Sequence, residues 1–248
     1  MTPLFQRLRR TLAGFGRDER DGPLPLFLYV LTVVTGMVDA LSFLGLGEVF
    51  VANMTGNIVL LGFAAVDPEH LSVSAHLTAL TAFLVGAAAG GRLGLRYGGR
   101  RAQLLAIAAP VKMACGVAAF AVSLPGLGVA DSPLRYAVIA LLAVSMGLQN
   151  AVVRRLAVAE LTTTVLTGTL TSFAAESSLA GGSNPRALRR LTAVAVLGLG
   201  AALSAWVLRA GGMSAVLLMT LTLLASVGLG AFRLRAAAAA WNVPPPGR

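Results

Sequence analysis

The stretch "VFVANMTGNIVLLG", residues 49–62, decides how this chain can fold. It is apolar at both ends but carries Asn53, Thr55, Gly56 and Asn57 at its centre. Glycine weakens a helix by about 1 kcal/mol relative to alanine, and amide or hydroxyl side chains can bond freed backbone groups or a ligand. Irregular backbone at membrane depth is tolerated only where protein or a water-filled cavity covers it. We therefore expect this segment to face a protected interior.

The chain around this stretch has the composition of an integral membrane protein. Of its 248 residues 56% are hydrophobic and 12% are charged, whereas soluble domains carry about 25% charged residues. Its apolar segments cover about residues 24–46, 49–66, 71–91, 102–124, 136–153, 156–174, 191–209 and 213–232. The segments 49–66 and 156–174 are short and polar in their middles, so they need not cross the bilayer.

The basic residues indicate which segments cross. The net charge of +10 comes from residues that flank the apolar segments, which is typical of topology and not of nucleic-acid binding. If all eight segments cross, 12 basic residues lie inside and seven outside. If 49–66 and 156–174 each enter and leave on one side, 17 lie inside and two outside, which fits the positive-inside rule better. We predict an all-α membrane protein with about six transmembrane helices, two broken or re-entrant helices, and cytoplasmic termini.

The sequence also contains an internal duplication. "GMVDA" at 36–40 matches "GLQNA" at 147–151, Glu48 matches Glu160, Thr55-Gly56 matches Thr167-Gly168, and "LRYGG" at 95–99 matches "LRAGG" at 208–212. The halves cover about residues 23–125 and 134–235, between a basic tail at 1–22 and an exposed C-terminal tail at 236–248. Each half has three full spans, so the second half must run opposite to the first. Inverted repeats of this kind build binding sites near the bilayer midplane.

The duplication suggests a set of site residues. Asp39 lies within the first span, where an ionisable group costs at least about 2.5–3.5 kcal/mol and needs a partner or a cavity. Lys112, the only lysine, is its simplest ion-pair partner. Asp39 either binds a cation or proton or has a structural role as a cap or ion-pair partner. The candidate solute-binding residues are Asp39, Asn53, Thr55, Gly56, Asn57, Asn150, Thr167, Gly168 and Thr169.

The stretch "GMVDALSFLGLGEVFVANMTGNIVLLG", residues 36–62, resembles the YoaK-like family of bacterial transmembrane proteins, a domain of unknown function. The resemblance rests on Gly36, Asp39, Ala40, Phe50, Asn53, Thr55, Gly56, Asn57 and Gly62. It implies a bacterial inner-membrane protein of about six spans and implies no established substrate.

The first functional hypothesis is a small-solute or ion transporter or channel. The alternative is a membrane scaffold or sensor in which the Thr-Gly segments only pack, because small and hydroxyl residues also mediate close helix contacts. An enzyme is not expected, since the sequence has no Ser/His/Asp set and no His-Glu-x-x-His pattern. No cofactor and no metal are expected, since two histidines and one cysteine give no ligand spacing. The expected partners are the lipid bilayer and a small polar solute or ion, with homo-oligomerisation left open.

Overall fold

The protein, described here from a computed structural model, is built of helices. The described residues form seven α-helices and no β-strand, so the all-α class is confirmed. The helices are α1 (Leu24–Gly45), α2 (Met54–Val66), α3 (Val73–Tyr97), α4 (Arg101–Val122), α5 (Leu134–Leu156), α6 (Leu166–Ala175) and α7 (Ala187–Leu234), followed by a 3-10 helix, Ala240–Asn242. The structure describes residues 20–66, 71–124, 129, 132–164, 166–177, 180–183 and 186–244. Most of the predicted basic tail therefore lies outside the described residues.

Five of these helices are long and apolar enough to cross a bilayer, namely α1, α3, α4, α5 and α7. Helix α7 has 48 residues, which at 1.5 Å per residue is about 72 Å, more than twice the hydrocarbon thickness of a bilayer. It is broken at Gly212, whose φ of 75° lies in the left-handed region that glycine adopts without steric strain. Helix α7 therefore consists of two parts, each of about one bilayer length.

The two polar segments contain the short helices. Helices α2 and α6 have 13 and 10 residues, and each follows a non-helical stretch, residues 46–53 and 157–164. Glu48 and Glu160, within these stretches, have φ values of 58° and 68°, which residues other than glycine seldom adopt. At about 20 and 15 Å, α2 and α6 are too short to cross a bilayer by themselves.

The long helices pack in pairs through glycines. Helix α1 packs along α7, α3 packs along α5, and α4 contacts both α5 and α7. A Cβ atom at Gly36 of α1 would collide with the backbone carbonyl of Leu197 in α7. In the same way, a Cβ atom at Gly147 of α5 would collide with the carbonyl of Phe83 in α3. The absence of a side chain at these positions therefore allows two backbones to touch, as is common in membrane helix pairs.

The 3-10 helix closes one end of the bundle. Trp241 lies against Gly22, where its indole ring fills the space that a side chain would need. Asn242 accepts a hydrogen bond from the backbone N–H of Ala102 at 2.8 Å and donates one to the carbonyl of Ala237 at 2.9 Å. Asn242 is buried, so the prediction of an exposed C-terminal tail is wrong at this residue. The reason is that its amide caps the first turn of α4 and the chain just after α7.

Candidate functional site

A cavity of about 700 Å³ lies between the two halves of the chain. Its lining comes from α1, α2 and α3 of the first half and from α5, α6 and α7 of the second, together with the non-helical residues before α2 and α6. Six of the nine residues predicted to bind a solute lie in this lining: Asp39, Asn53, Thr55, Gly56, Asn150 and Thr167. The volume lies within the range of pockets that bind small molecules.

Asp39 joins α1 to the irregular stretch before α2. Its Oδ1 atom accepts hydrogen bonds from the backbone N–H groups of Val51 at 2.9 Å and Ala52 at 2.7 Å. These donors have no partner within a helix, because residues 46–53 are not helical. The carboxylate therefore holds the irregular backbone in place while it also lines the cavity.

Asn150, the residue that the duplication pairs with Asp39, has the corresponding contact in the second half. Its Oδ1 atom accepts a hydrogen bond from the hydroxyl of Thr164 at 2.9 Å, and both residues line the cavity. In each half, a side chain near the end of a long helix thus accepts hydrogen bonds from the residues just before the short helix. The first half uses a carboxylate and the second a neutral amide.

Asn53 and Thr55 begin the short helix α2 at the cavity wall. The Oδ1 atom of Asn53 accepts a hydrogen bond from the backbone N–H of Gly56 at 3.2 Å, and its carbonyl accepts one from the N–H of Asn57 at 3.2 Å. This is the arrangement of a helix N-cap, which asparagine favours. The hydroxyl-bearing Thr55 is exposed and lines the cavity.

Asn57 is not among the described residues that line the cavity. It is fully buried, and its amide group contacts the backbone of Phe50. Its Nδ2 atom donates to the Phe50 carbonyl at 2.6 Å, and its Oδ1 atom accepts from the Phe50 N–H at 2.9 Å. The expectation that Asn57 faces the solute site is corrected: its side chain fastens the irregular stretch onto α2. Gly168 and Thr169 are likewise absent from the described lining, and Thr169 is buried.

The ion pair expected between Asp39 and Lys112 is also corrected. Lys112 is buried and donates a hydrogen bond to the side-chain carbonyl of Gln149, whereas Asp39 accepts from backbone N–H groups. The Nε2 atom of Gln149 in turn donates to the hydroxyls of Thr35 at 3.0 Å and Thr163 at 3.2 Å. Lys112 and Gln149 line a separate cavity of about 20 Å³, because their helix faces point into the contact of α1, α4, α5 and α7.

A charge cluster that the sequence analysis did not predict surrounds α6. Arg190, buried at the start of α7, contacts Glu160 before α6 through two hydrogen bonds of 2.7 and 2.9 Å. It also binds Glu176, which follows α6, at 2.9 Å. The hydrogen bonds from Arg190 are the main reason that the pKa of Glu160 lies below its usual value. One guanidinium thus ties together both ends of the short helix.

A second cluster joins distant parts of the chain at the same end of the bundle. Asp21, which precedes α1, forms ion pairs with Arg101 at 3.1 Å and Arg189 at 3.3 Å. Arg101 and Asp21 are both almost fully buried. In the sequence these arginines are topology signals, and their ion pairs with Asp21 are not predicted. The chain has ten acidic and twenty basic side chains. This scarcity of acidic residues is the one signal in the sequence that each carboxylate has basic partners.

A chain whose described residues form several helices of membrane-spanning length, around a cavity with polar side chains in its lining, is a multi-pass membrane protein. The chain belongs to the family described as "Protein of unknown function (DUF1275)", whose family model matches residues 27–229. It is 36% identical over 149 residues to the UPF0700 transmembrane protein YoaK of Bacillus subtilis (strain 168), a match that covers 59% of this chain. The chain spans about 64% of the length of that relative. The resemblance of residues 36–62 to this family is confirmed, and no solved structure matches the chain.

Proposed function

We propose that the protein crosses the bacterial inner membrane six times, with both described ends of the chain in the cytoplasm. The ion pair between Asp21 and Arg101 supports this topology, because it requires the residue before α1 and the first residue of α4 to lie on one side. The number of crossings between them must then be even. Helices α1 and α3 provide two, so α2 does not cross.

Other contacts at the ends of the helices support the same number of membrane crossings. Arg190 binds carboxylates before and after α6, which supports entry and exit of α6 on a single side. At the opposite end of the bundle, Ser72, which follows α2, lies 3.5 Å from the hydroxyl of Tyr136. The neighbouring Arg135 lies beside Gly47, which precedes α2. The break of α7 at Gly212 supplies the last two crossings.

The helix contacts support an inverted repeat. The close approach of Gly36 to the backbone of Leu197 joins α1 to α7, and that of Gly147 to Phe83 joins α5 to α3. Because Gly36 and Gly147 are equivalent in the duplication, each half contributes one helix to each contact. A pair of contacts related in this way is expected when two similar halves are arranged about a pseudo-two-fold axis.

We infer that the cavity between the halves carries a small polar solute or ion across the membrane. The observation that supports this function is that both halves contribute polar side chains to the lining: Asp39 and Thr55 from the first half, and Asn150 and Thr167 from the second. Asp39 is equivalent to Asn150 in the duplication, and Thr55 is equivalent to Thr167. Transporters with inverted repeats commonly bind their substrates at such an interface, where broken helices leave polar groups available.

The test is solute flux into liposomes that contain the purified full chain. We expect uptake of at least one solute from a panel of small polar and ionic compounds. Thr55→Phe and Thr167→Phe should each lower the flux at least about tenfold, because the rings would fill the cavity. Thr222→Phe, an equal enlargement at an exposed position of α7, should leave the flux unchanged. A wild-type protein that carries no compound, or blocked variants that carry it at full rate, would contradict the proposal.

A scaffold or sensor is the second candidate, and the burial of Asn57 favours it. The amide of Asn57 serves the backbone of Phe50, so at least this polar group of the motif is structural. In a scaffold, Asn57→Ala would change stability or oligomeric state while no solute crossed. The same liposome experiment therefore separates the two functions.

A further inference from the structure

A second cavity, distinct from the candidate solute site, lies beside the carboxyl-terminal ends of α3 and α5. It has a volume of about 650 Å³. Gly91, Gly94 and Leu95 of α3 line one side, while Arg154 and Arg155 of α5 line another. Ala151, Ala157 and Pro244 complete the described lining. The cavity is thus a groove with two arginines at one side and small or apolar residues at the other.

The two arginines of this groove differ from the buried arginines of the same region. Arg101 and Arg190 are held by Asp21, Glu160 and Glu176. In contrast, the side chains of Arg154 and Arg155 are exposed, and the structure records no ion pair for either of them among the described residues. None of the described lining residues is acidic. The groove therefore has two positive charges that its own walls do not neutralise.

The other side of the groove fits a hydrocarbon chain. A Cβ atom at Gly91 would meet no atom within 4 Å, so the groove has free space above this position. Leu95 is 80% exposed, and Leu84 and Val85, nearer the start of α3, are 65% and 64% exposed. These side chains form an apolar outer surface on a helix of membrane-spanning length. An acyl chain lying on this surface would end at the groove.

We propose that this groove binds an anionic phospholipid, with the phosphate-bearing headgroup at Arg154 and Arg155 and an acyl chain along α3. Arginine forms strong, charge-assisted hydrogen bonds with phosphate oxygens. Basic pockets between transmembrane helices are suited to anionic lipid headgroups. The charge of the groove selects the anionic headgroup, and the open space above Gly91 selects a ligand with a hydrocarbon tail over a soluble anion.

The test is lipid binding to the purified full chain, measured by native mass spectrometry in detergent. Phosphatidylglycerol is the anionic probe, phosphatidylcholine with the same acyl chains is the zwitterionic probe, and inorganic phosphate is the soluble one. We expect phosphatidylglycerol to bind more tightly than the other two. The double variant R154Q/R155Q should weaken its binding at least about tenfold, since each arginine near the surface contributes appreciably to anionic-lipid attraction. The charge-matched double variant R233Q/R235Q, at the end of α7, should bind as the wild type does.

Gly91→Leu provides the second variant, because it fills the groove and keeps both arginines. It should weaken phosphatidylglycerol binding and leave phosphate binding unchanged. Equal binding of phosphatidylglycerol and phosphatidylcholine would overturn the proposal, as would an equal loss in R233Q/R235Q. Tight phosphate binding that Gly91→Leu does not affect, together with unchanged lipid binding, would identify a soluble anion site instead. Solute flux is not measured here, so failure of this proposal is separate from failure of the proposed function.

Discussion

Gly86→Ala is expected to destabilise the contact between α3 and α5. A Cβ atom at Gly86 would lie 2.7 Å from the carbonyl carbon and 2.8 Å from the Cα atom of Val144, with the carbonyl oxygen nearer still. Ordinary contacts of a Cβ atom begin at about 3.4 Å, so relief of the contact with the carbonyl carbon alone requires the two backbones to separate by roughly 0.7 Å, and the nearer oxygen requires more. Overpacking of this kind costs about 1–3 kcal/mol, and a backbone cannot move aside as a side chain can. The higher helix propensity of alanine offsets up to about 1 kcal/mol of this destabilisation.

The net expected loss is therefore about 1–2 kcal/mol, which for a chain of this size is roughly 2–8 °C in Tm. The matched control is Gly91→Ala on the same helix, where an added Cβ atom meets no atom within 4 Å. Its Tm should stay the same or rise slightly. The assay is thermal unfolding of both variants and the wild type in the same detergent. A Gly86→Ala protein that melts at or above the temperature of Gly91→Ala would refute the assignment of this glycine to helix packing.

Three further predictions concern the short helices and the topology. Asn57→Ala should lower the stability by about 2 kcal/mol, since the two partly buried backbone groups of Phe50 lose their partners; an unchanged Tm would contradict the fastening role. A cysteine at Gly98, with Cys115 replaced, should resist labelling by an impermeant reagent from outside the cell, whereas labelling there would require α2 to cross. The pKa of Glu160 is lowered by Arg190, so its stabilising effect is complete above the unfolded-state pKa of about 4.3 and is lost as the pH falls below it. Glu160→Gln should flatten this acid-side decrease in Tm, and an unchanged pH profile would count against the ion pair.

Much of the architecture was available from the sequence because membrane helices follow simple rules of length and polarity. The eight apolar segments correspond to five long helices, one of them broken at Gly212, and two short ones. The polar residues of 49–66 and 156–174 lie partly in the irregular stretches before α2 and α6 and partly in these short helices. Backbone groups in these stretches need partners, and the amides and hydroxyls beside them supply some of those partners.

The side-chain partners could not be predicted, because helix periodicity does not determine which helix lies opposite. Lys112 and Asp39 are both ionisable groups within apolar helices, but Lys112 faces Gln149 in a different helix contact. The orientation of the Asn57 amide could not be predicted from the sequence either. Its position in a polar motif does not distinguish a side chain that faces a cavity from one that folds back onto Phe50.

The two halves preserve similar backbones but differ in charge at their ends. Glu48 and Glu160 are equivalent in the duplication, and both have left-handed backbone conformations. Glu160 is bound by Arg190, which is buried. In the first half the structure records no ion pair for Glu48 among the described residues. There the buried His76 of α3, whose Nδ1 atom lies 3.4 Å from Oδ1 of Asn57, contacts the short helix instead.

This difference bears on how the candidate solute cavity could open. Charge-assisted hydrogen bonds are about twice as strong as neutral ones, and Arg190 forms them with carboxylates on both sides of α6. The short helix α2 is held near its start by the amide of Asn57 and by Asp39, whose contacts are with backbone groups of the same half. Displacing α6 from α7 requires the separation of Arg190 from two carboxylates, whereas displacing α2 from α1 requires the loss of the hydrogen bonds that Asp39 accepts from Val51 and Ala52. We therefore expect access to the cavity to open first on the side of α2, with α6 as the more firmly held wall.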